Sequence, residues 1–244
     1  MCIRVRGENT TQNLKPPRTS YAKTILDNGS CQTGVKGQTH MQVFNPKRIT
    51  HRELRILAQQ AKGSINKLYL HWTAGRYGQY FDDYHINIDS DGAIYQTCSR
   101  LTDLKAHTWK RNTGAVGITL CCAYGAVLNG KWQPIYPEFA PTELQINQMA
   151  AVIAILCYEL DLEISFSDVK THAEIAFLDG YGPGQDDPDM RWDLLALPGL
   201  PQTKNLRPGG YLLRDKAMEF SKFLEYNKIV PMPQPMELPL DLAA

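Results

Sequence analysis

Two histidines and an acidic loop are the residues of this sequence whose types and spacing best suit metal chemistry. His71 ends the apolar stretch LYLH, and His172 follows the β-rich segment VKT, each directly before a predicted polar turn. A catalytic zinc ion takes three protein ligands from His, Asp, Glu or Cys and leaves a fourth position open for water. The alternative for each histidine is a hydrogen-bonded residue of the core. The loop after His172 offers four carboxylates as a third ligand: Asp179, Asp186, Asp187 and Asp189.

The elements that must position these residues alternate between helical and extended patterns. Thr50 and Thr142 are predicted helix N-caps, and Gly92 in DSDG supplies the positive φ of a hairpin turn. The order of elements predicts an α/β fold (mixed α+β), with a central mixed β-sheet flanked by helices. The predicted helices are HRELRILAQQA, ELQINQMAAVIAILCYEL and GGYLLRDKAMEFSKFLEY, and the predicted strands are KLYLHW, the two halves of YHINIDSDGAIYQT, and AVGITLCCAYG.

Three segments are predicted along the chain. Residues 1–48 lack periodicity and are interpreted as an irregular N-terminal arm, residues 49–228 as the domain that carries both candidate histidines, and residues 229–244 as a Pro-rich, extended tail. The six cysteines form no CxxC pair, so they are interpreted as reduced thiols.

Composition excludes some partners. Lys and Arg number 26 against 25 Asp and Glu, so no charge excess points to nucleic acid. No apolar run approaches the roughly 20 residues of a membrane span, and the N-terminus lacks the apolar core of a secretory signal. The oligomeric state is left open.

Four stretches in order resemble one family. LHWTAG, YHINIDSDGAIYQ, AHTWKRNTGAVGITL, and THAEIA followed by DP are similar to the zinc N-acetylmuramoyl-L-alanine amidases, over about residues 50 to 195. That family includes phage amidase lysozymes, amidases that recycle muropeptides, and peptidoglycan recognition proteins. The resemblance implies a Zn²⁺ cofactor, a peptidoglycan substrate, and hydrolysis of the amide between N-acetylmuramic acid and L-alanine.

The same resemblance implies a ligand set. His71 matches the first zinc ligand and His172 the second. Asp187, which precedes Pro188, matches the aspartate ligand of the recycling branch. Asp186 and Asp189 compete with it, because the loop is longer than in that branch.

The catalytic residues implied by the resemblance are Tyr84, Arg191 and Gln185. Tyr84 matches a tyrosine placed to donate a hydrogen bond to the oxyanion. Gln185 stands where the phage branch has a lysine, and Arg191 could supply the missing cation. Thr119 replaces the glutamate of the recycling branch and cannot act as a general base. Residues expected to contact substrate are Trp72, Tyr77, His107, Trp109 and Thr119, while His85 and Glu174 are expected to support the local structure.

Two rival functions stay open at this point: a module that binds peptidoglycan without cleaving it, and a zinc hydrolase of another amide. The complete set of potential ligands favours the enzyme. Synthesis in a bacterial cytoplasm without a signal peptide is expected, followed either by phage lysin-like release to the cell wall or by action inside the cell.

Overall fold

The strand that carries His71 lies inside a six-stranded sheet. In the computed structural model, which describes residues 41–129, 133–185, 191–199 and 205–229, this sheet has the strand order β10-β3-β7-β5-β6-β2. The strands are β1 (Gln42–Val43), β2 (Lys47–Ile49), β3 (Lys67–Trp72), β4 (Tyr80–Phe81), β5 (Ile86–Ile88), β6 (Ile94–Gln96), β7 (Ala115–Leu120), β8 (Val127–Leu128), β9 (Pro134–Ile135), β10 (Val169–Thr171), β11 (Ala196–Pro198) and β12 (Leu206–Pro208).

Four α-helices are described: α1 (His51–Ala61), α2 (Glu143–Leu160), α3 (His172–Asp179) and α4 (Gly209–Ile229). A short 3₁₀ helix spans Gly182–Gln185. Strands β10, β3, β7 and β5 pair in parallel, and β5, β6 and β2 pair antiparallel, so the sheet is mixed. The predicted fold class is therefore confirmed.

The two faces of the sheet differ because side chains alternate along each strand. On one face, Leu68, Leu70 and Trp72 of β3 join the main apolar core, which also takes in buried side chains of α1, α2 and α4. On the other face lie Tyr69 and His71. Here Tyr69 packs with residues of β7 and α3, including Ile175. The second face is therefore free to carry polar chemistry at the end of a buried strand.

Local sequence signals set the helix boundaries. The side chains of Thr50 and Thr142 each accept a hydrogen bond from the backbone amide three residues later in the chain. A capping box is therefore present at the N-terminus of both α1 and α2. The observed α1 and α2 begin and end at the predicted residues. The DSDG turn has the expected positive φ of 79° at Gly92.

Some expectations lie at or beyond the edge of the described residues. Strands β1 and β2 fall within the segment predicted as an irregular arm, and β2 joins the main sheet. Residues 1–40 and 230–244, which include most of that arm and nearly all of the predicted tail, lie outside the described residues. The four described cysteines, Cys98, Cys121, Cys122 and Cys157, are free. Among the described residues, no helix is both long enough and apolar enough to cross a bilayer.

Candidate metal centre

His71 and His172 meet because two parallel strands end side by side. Thr171, the last residue of β10, pairs with Leu70 of β3, so the next residue of each chain segment is a histidine at the same edge of the sheet. The two Nδ1 atoms are 3.1 Å apart, and both rings are buried. His172 begins helix α3 instead of the predicted polar turn, since Thr171 serves as the N-cap of that helix.

Asp193 completes the group. Its Oδ2 atom is 3.2 Å from Nδ1 of His71 and 3.2 Å from Nδ1 of His172. The three side chains form a candidate metal-binding cluster, which we call the His-His-Asp cluster. Asp193 lies in the loop before β11, and 21 residues separate it from His172.

The geometry of the cluster fits a zinc ion. Zinc binds imidazole nitrogen and carboxylate oxygen at about 2.0–2.2 Å in a tetrahedral arrangement, which places neighbouring ligand atoms about 3.3 Å apart. The three contacts of 3.1–3.2 Å agree with one face of such a tetrahedron. The donor set, two histidines and a carboxylate, is also one that catalytic zinc uses.

The protonation states of His71 and Asp193 favour ligation, which requires a neutral histidine and an ionised carboxylate. Burial lowers the pKa of His71 to about 4, so the ring is neutral at pH 7. For Asp193, burial opposes ionisation, but the charge and hydrogen bond of His172 and the hydrogen bond of His71 outweigh it. The pKa of Asp193 is therefore held below its usual value.

Backbone contacts hold the Asp193 segment in place. The carbonyl oxygen of Asp193 accepts a hydrogen bond of 3.3 Å from the amide of Ala173 in α3. The next residue, Leu194, is fully buried and has a left-handed φ of 57°. The amide of Gly209, at the start of α4, donates to Leu195. A Cβ on Gly209 would overlap the carbonyl oxygen of Leu194, so glycine is needed for this close approach.

Thr108 supports the far side of the His71 ring. Its Oγ1 lies 3.3 Å from Nε2 of His71 and 3.0 Å from Nδ1 of His107. When Nδ1 of His71 binds a metal, its Nε2 carries the proton and donates to Thr108, whose hydroxyl can then donate to His107. Burial, with the nearby His71, lowers the pKa of His107 well below its usual value, so His107 is neutral and able to accept. Such a contact fixes the tautomer of a ligating histidine.

Tyr84 lies beside the cluster. Its ring centroid is 5.1 Å from that of His71, and its side chain is buried. Burial and the charge of Asp193 raise the pKa of Tyr84 well above its usual value. The phenol therefore stays protonated at neutral pH and can donate a hydrogen bond.

The other two predicted catalytic residues are placed differently. Arg191 has a left-handed φ of 61°. Its positive charge disfavours protonation of His71 and favours ionisation of Tyr84, although burial has the larger effect on the pKa of each group. Gln185 is exposed at the end of the 3₁₀ helix. The structure thus brings the charge of Arg191 to the cluster and leaves Gln185 on the surface.

Three residues expected to contact substrate are instead buried. Trp72 is 5% exposed and packs between Tyr136 and Trp192, because the alternation of β3 turns it to the core face, away from His71. His107 is buried between neighbouring rings, and Thr119 is fully buried beside His71 in the pairing of β3 with β7. The expectation that Trp72 contacts substrate therefore does not match its position in the core.

The remaining two expected contact residues are more accessible. Trp109 is 57% exposed, and its ring lies 6.1 Å from that of Tyr181, which in turn lies 6.4 Å from the ring of His172. Trp109 is therefore a surface aromatic connected to the cluster through Tyr181. The hydroxyl of Tyr77 donates to the carbonyl of Ala140 at 2.6 Å, which ties Tyr77 to the chain before α2.

The predicted third ligand, Asp187, lies outside the described residues, as do Asp186 and Asp189. The fourth acidic candidate, Asp179, forms an ion pair with Arg111. Sequence reasoning missed Asp193, which follows RW in the stretch RWDLL. The spacing of 21 positions from His172 is short enough for one loop to bring Asp193 back to the end of the sheet. No local pattern in the sequence marks Asp193 as the ligand.

His85 is a buried structural histidine. Its Nδ1 accepts from the amide of Gly117 at 3.0 Å, so Nε2 carries the proton and donates to the carbonyl of Asp103 at 2.8 Å. Burial lowers the pKa of His85 to about 4. This arrangement agrees with a role in supporting the strand, and it leaves no ring nitrogen free for a ligand.

His85 should make the protein sensitive to acid. Between pH 6.5 and 4 the unfolded chain binds a proton at this position and the folded chain does not. The contribution of His85 to the free energy of unfolding is therefore fully present above about pH 6.5. As the pH drops below that value, the contribution falls by about 1.4 kcal/mol per pH unit. Urea unfolding at pH 7, 6 and 5 measures that slope. In His85→Gln the slope should be shallower by this amount, and equal slopes would contradict the assignment.

Comparison with known proteins places this geometry in context. Residues 60–189 match the model of a family described as N-acetylmuramoyl-L-alanine amidase. His71, Tyr84 and His172 lie within the matched residues, whereas Asp193 follows them. No curated protein matches this chain significantly.

Two solved structures are similar at low identity. One is the endolysin N-acetylmuramoyl-L-alanine amidase LysCS from Clostridium intestinale URNW, with 19% identity over 46% of this chain and 71% of that chain, and a TM-score of 0.34. The other is the N-acetylmuramoyl-L-alanine amidase LysC from the same organism, with 19% identity over 46% of this chain and 72% of that chain, and a TM-score of 0.34.

Proposed function

Because this chain belongs to the N-acetylmuramoyl-L-alanine amidase family and is a peptidoglycan amidase, we propose that it is zinc-dependent and that His71, His172 and Asp193 bind the ion. The observation that carries the proposal is the triangle of ligand atoms, each 3.1–3.2 Å from the other two. The neutral His71 imidazole, the adjacent His172 nitrogen and the ionised Asp193 carboxylate form a ready coordination face at these distances. In this arrangement Asp193 takes the place that the sequence analysis gave to Asp187.

The reaction adds water to the carbonyl carbon of the lactyl amide, breaks the C–N bond, and transfers a proton to the departing L-alanine nitrogen. A zinc ion bound in such a site lowers the pKa of water and polarises the carbonyl. The side chains of this protein supply orientation and charge. Thr108 holds the ring of His71, and the amide of Ala173 holds the Asp193 backbone.

Tyr84 is the proposed donor to the oxyanion. The carbonyl oxygen gains negative charge as water adds, and a protonated phenol beside it stabilises that charge. The ring of Tyr84 is adjacent to His71, and its raised pKa keeps the proton in place. Arg191 adds positive charge that acts at Tyr84 and at His71. Arg191 could in this way take the place of the lysine of the phage branch.

The proposed substrate surface begins at Trp109. The ring is exposed, and Tyr181 connects it to His172. An exposed aromatic ring separated from the proposed zinc site by a single tyrosine suits stacking against a sugar or a stem peptide. We propose an endolysin-like role, in which the substrate is polymeric cell wall and not only soluble muropeptides.

A digest of purified sacculi tests the proposed function. New L-alanine amino groups should appear without new reducing sugar ends. Chelation should abolish amine release, and added zinc should restore it. Amine release that survives complete zinc removal would contradict the metal mechanism, and sedimentation with sacculi without release would favour the binding-only alternative. Comparison of sacculi with soluble muropeptide distinguishes a lytic from a recycling role.

The Thr108 hydroxyl should strengthen zinc binding. In Thr108→Val the Nε2 proton of His71 loses its acceptor, so zinc affinity should fall about 10-fold or more, in the range seen when a supporting residue of a metal ligand is removed. Competition with a chromophoric chelator measures the affinity. Thr50→Val is the control, because it removes a helix cap and should lower stability without changing zinc affinity. Equal affinities in wild type and Thr108→Val would rule out the supporting role.

A further inference from the structure

The C-terminal helix α4 lies outside the residues that match the family model, yet it contacts the segments that carry two of the three ligands. Arg214 of α4 is 6% exposed, although arginine is rarely buried unless it is paired. Its guanidinium donates to both carboxylate oxygens of Glu174, at 2.9 and 2.8 Å. A bidentate arginine–carboxylate pair has a fixed geometry as well as a favourable charge interaction.

Glu174 links Arg214 to His172 through hydrogen bonds at the start of α3. Its carboxylate accepts from the amide of Thr171 at 2.9 Å, while the amide of Glu174 donates to the hydroxyl of Thr171 at 3.2 Å. This capping box encloses His172, which is the first residue of α3. Arg214 also donates to the carbonyl of Val169 in β10 at 3.0 Å. The same guanidinium therefore joins the strand before His172 to the helix that begins with it.

Two consecutive glycines let α4 come close enough for these contacts. A Cβ on Gly210 would overlap the Glu174 carboxylate, and a Cβ on Gly209 would overlap the carbonyl oxygen of Leu194, next to Asp193. Neither glycine has a positive φ, so backbone conformation alone does not require glycine here. The Glu174 carboxylate occupies the space beside Gly210, and the Leu194 carbonyl oxygen occupies the space beside Gly209. These groups position His172 and Asp193, respectively.

We propose that Arg214 and Gly210 are positioning residues for the metal centre: through Glu174 they fix the place of His172, and so they set zinc affinity. This proposal rests on the proposed zinc site. Helix α4 thus forms part of the active site's support, although none of its side chains is proposed to contact the metal or the substrate.

The test measures zinc affinity in the full-length protein, together with the thermal unfolding of the metal-free protein. Arg214→Met should weaken zinc binding about 10-fold or more. Arg214→Lys should give a smaller loss, because one ammonium cannot reproduce the bidentate pair. Gly210→Ala should also weaken binding, since the new methyl group displaces the Glu174 carboxylate while alanine favours the helix. The absorption spectrum of the Co²⁺-substituted protein should shift in each variant.

Arg55→Met is the matched control. It removes another arginine paired with a largely buried glutamate, Glu159, in an ion pair that joins α1 to α2. It should lower the unfolding temperature and leave zinc affinity and the Co²⁺ spectrum unchanged. If Arg214→Lys and Gly210→Ala fold and bind zinc within twofold of wild type, the positioning role is wrong. A wild-type protein that binds no zinc, or a His71→Ala variant that binds it normally, would instead refute the zinc site itself.

Discussion

Replacing Asp193 with alanine should abolish zinc binding at micromolar metal and reduce amide hydrolysis to the uncatalysed rate. The carboxylate supplies one of three ligand atoms and the only negative charge of the His-His-Asp cluster. Its loss should therefore cost more than the roughly 10- to 100-fold that follows removal of a residue supporting a ligand. Equilibrium dialysis with metal analysis measures the zinc, and amine release from sacculi measures the activity.

The matched control is Asp187→Ala, because Asp187 is the ligand that the resemblance to the recycling branch implies. We expect this variant to bind about one zinc per chain and to keep its activity. The opposite pattern, with zinc lost from Asp187→Ala and kept by Asp193→Ala, would assign the third ligand to Asp187. Asp193→Asn adds a further comparison, since it keeps the shape and hydrogen bonding of the side chain and removes only its charge.

Replacing Tyr84 with phenylalanine should lower turnover by about 10²- to 10³-fold and leave zinc in place. Removal of a single oxyanion donor typically has an effect of this size. The ring itself is buried and packs against His71, so phenylalanine preserves the packing and removes only the hydroxyl. Steady-state kinetics on a soluble muropeptide should show the loss mainly in kcat, with KM little changed.

Tyr136→Phe is the control for this change. The Tyr136 hydroxyl donates to the backbone carbonyl of Ala196, so its removal should lower stability slightly without altering kcat. Turnover in Tyr84→Phe equal to that of wild type would return Tyr84 to a purely structural role. Loss of zinc from Tyr84→Phe would show that the phenol acts on the metal site and not on the substrate.

Local patterns predicted α1 and α2 well because each of these helices begins with its own capping residues. Thr50 with Glu53, and Thr142 with Gln145, satisfy the first amide groups of their helices within four residues of sequence. Such signals need no knowledge of the rest of the chain. The same applies to the DSDG turn, where a single glycine supplies the required φ.

Long-range packing determines the placement of Asp193 and the burial of His107, which local sequence patterns do not predict. Arg191 and Leu194 adopt left-handed conformations although neither is glycine, and contacts with α3 and the start of α4 accompany this shape. The position of Asp193 follows from that loop. His107 is buried over β7 because Gly117 has no side chain there, and a Cβ at Gly117 would lie 2.6 Å from the His107 ring. Neither fact has a local signature.

The burial of Trp72 was, by contrast, available from the sequence. In a strand, neighbouring side chains point to opposite faces, so a histidine directed to the site places the next residue in the core. The resemblance drew attention to the aromatic character of Trp72 and away from this alternation. Periodicity is the stronger guide where a motif lies inside a regular strand.

The pairing of β10 with β3 has a consequence for how the chain folds. His71 and His172 are separated by 101 residues, and they become neighbours only when this edge strand docks. Because closing so long a loop is slow and entropically costly, we expect this step to come late in folding. Before it, the two imidazoles belong to separate parts of the chain and form no common site. Zinc should therefore slow unfolding and leave the folding rate nearly unchanged. The metal would stabilise the completed sheet and would take no part in the nucleus from which the sheet assembles.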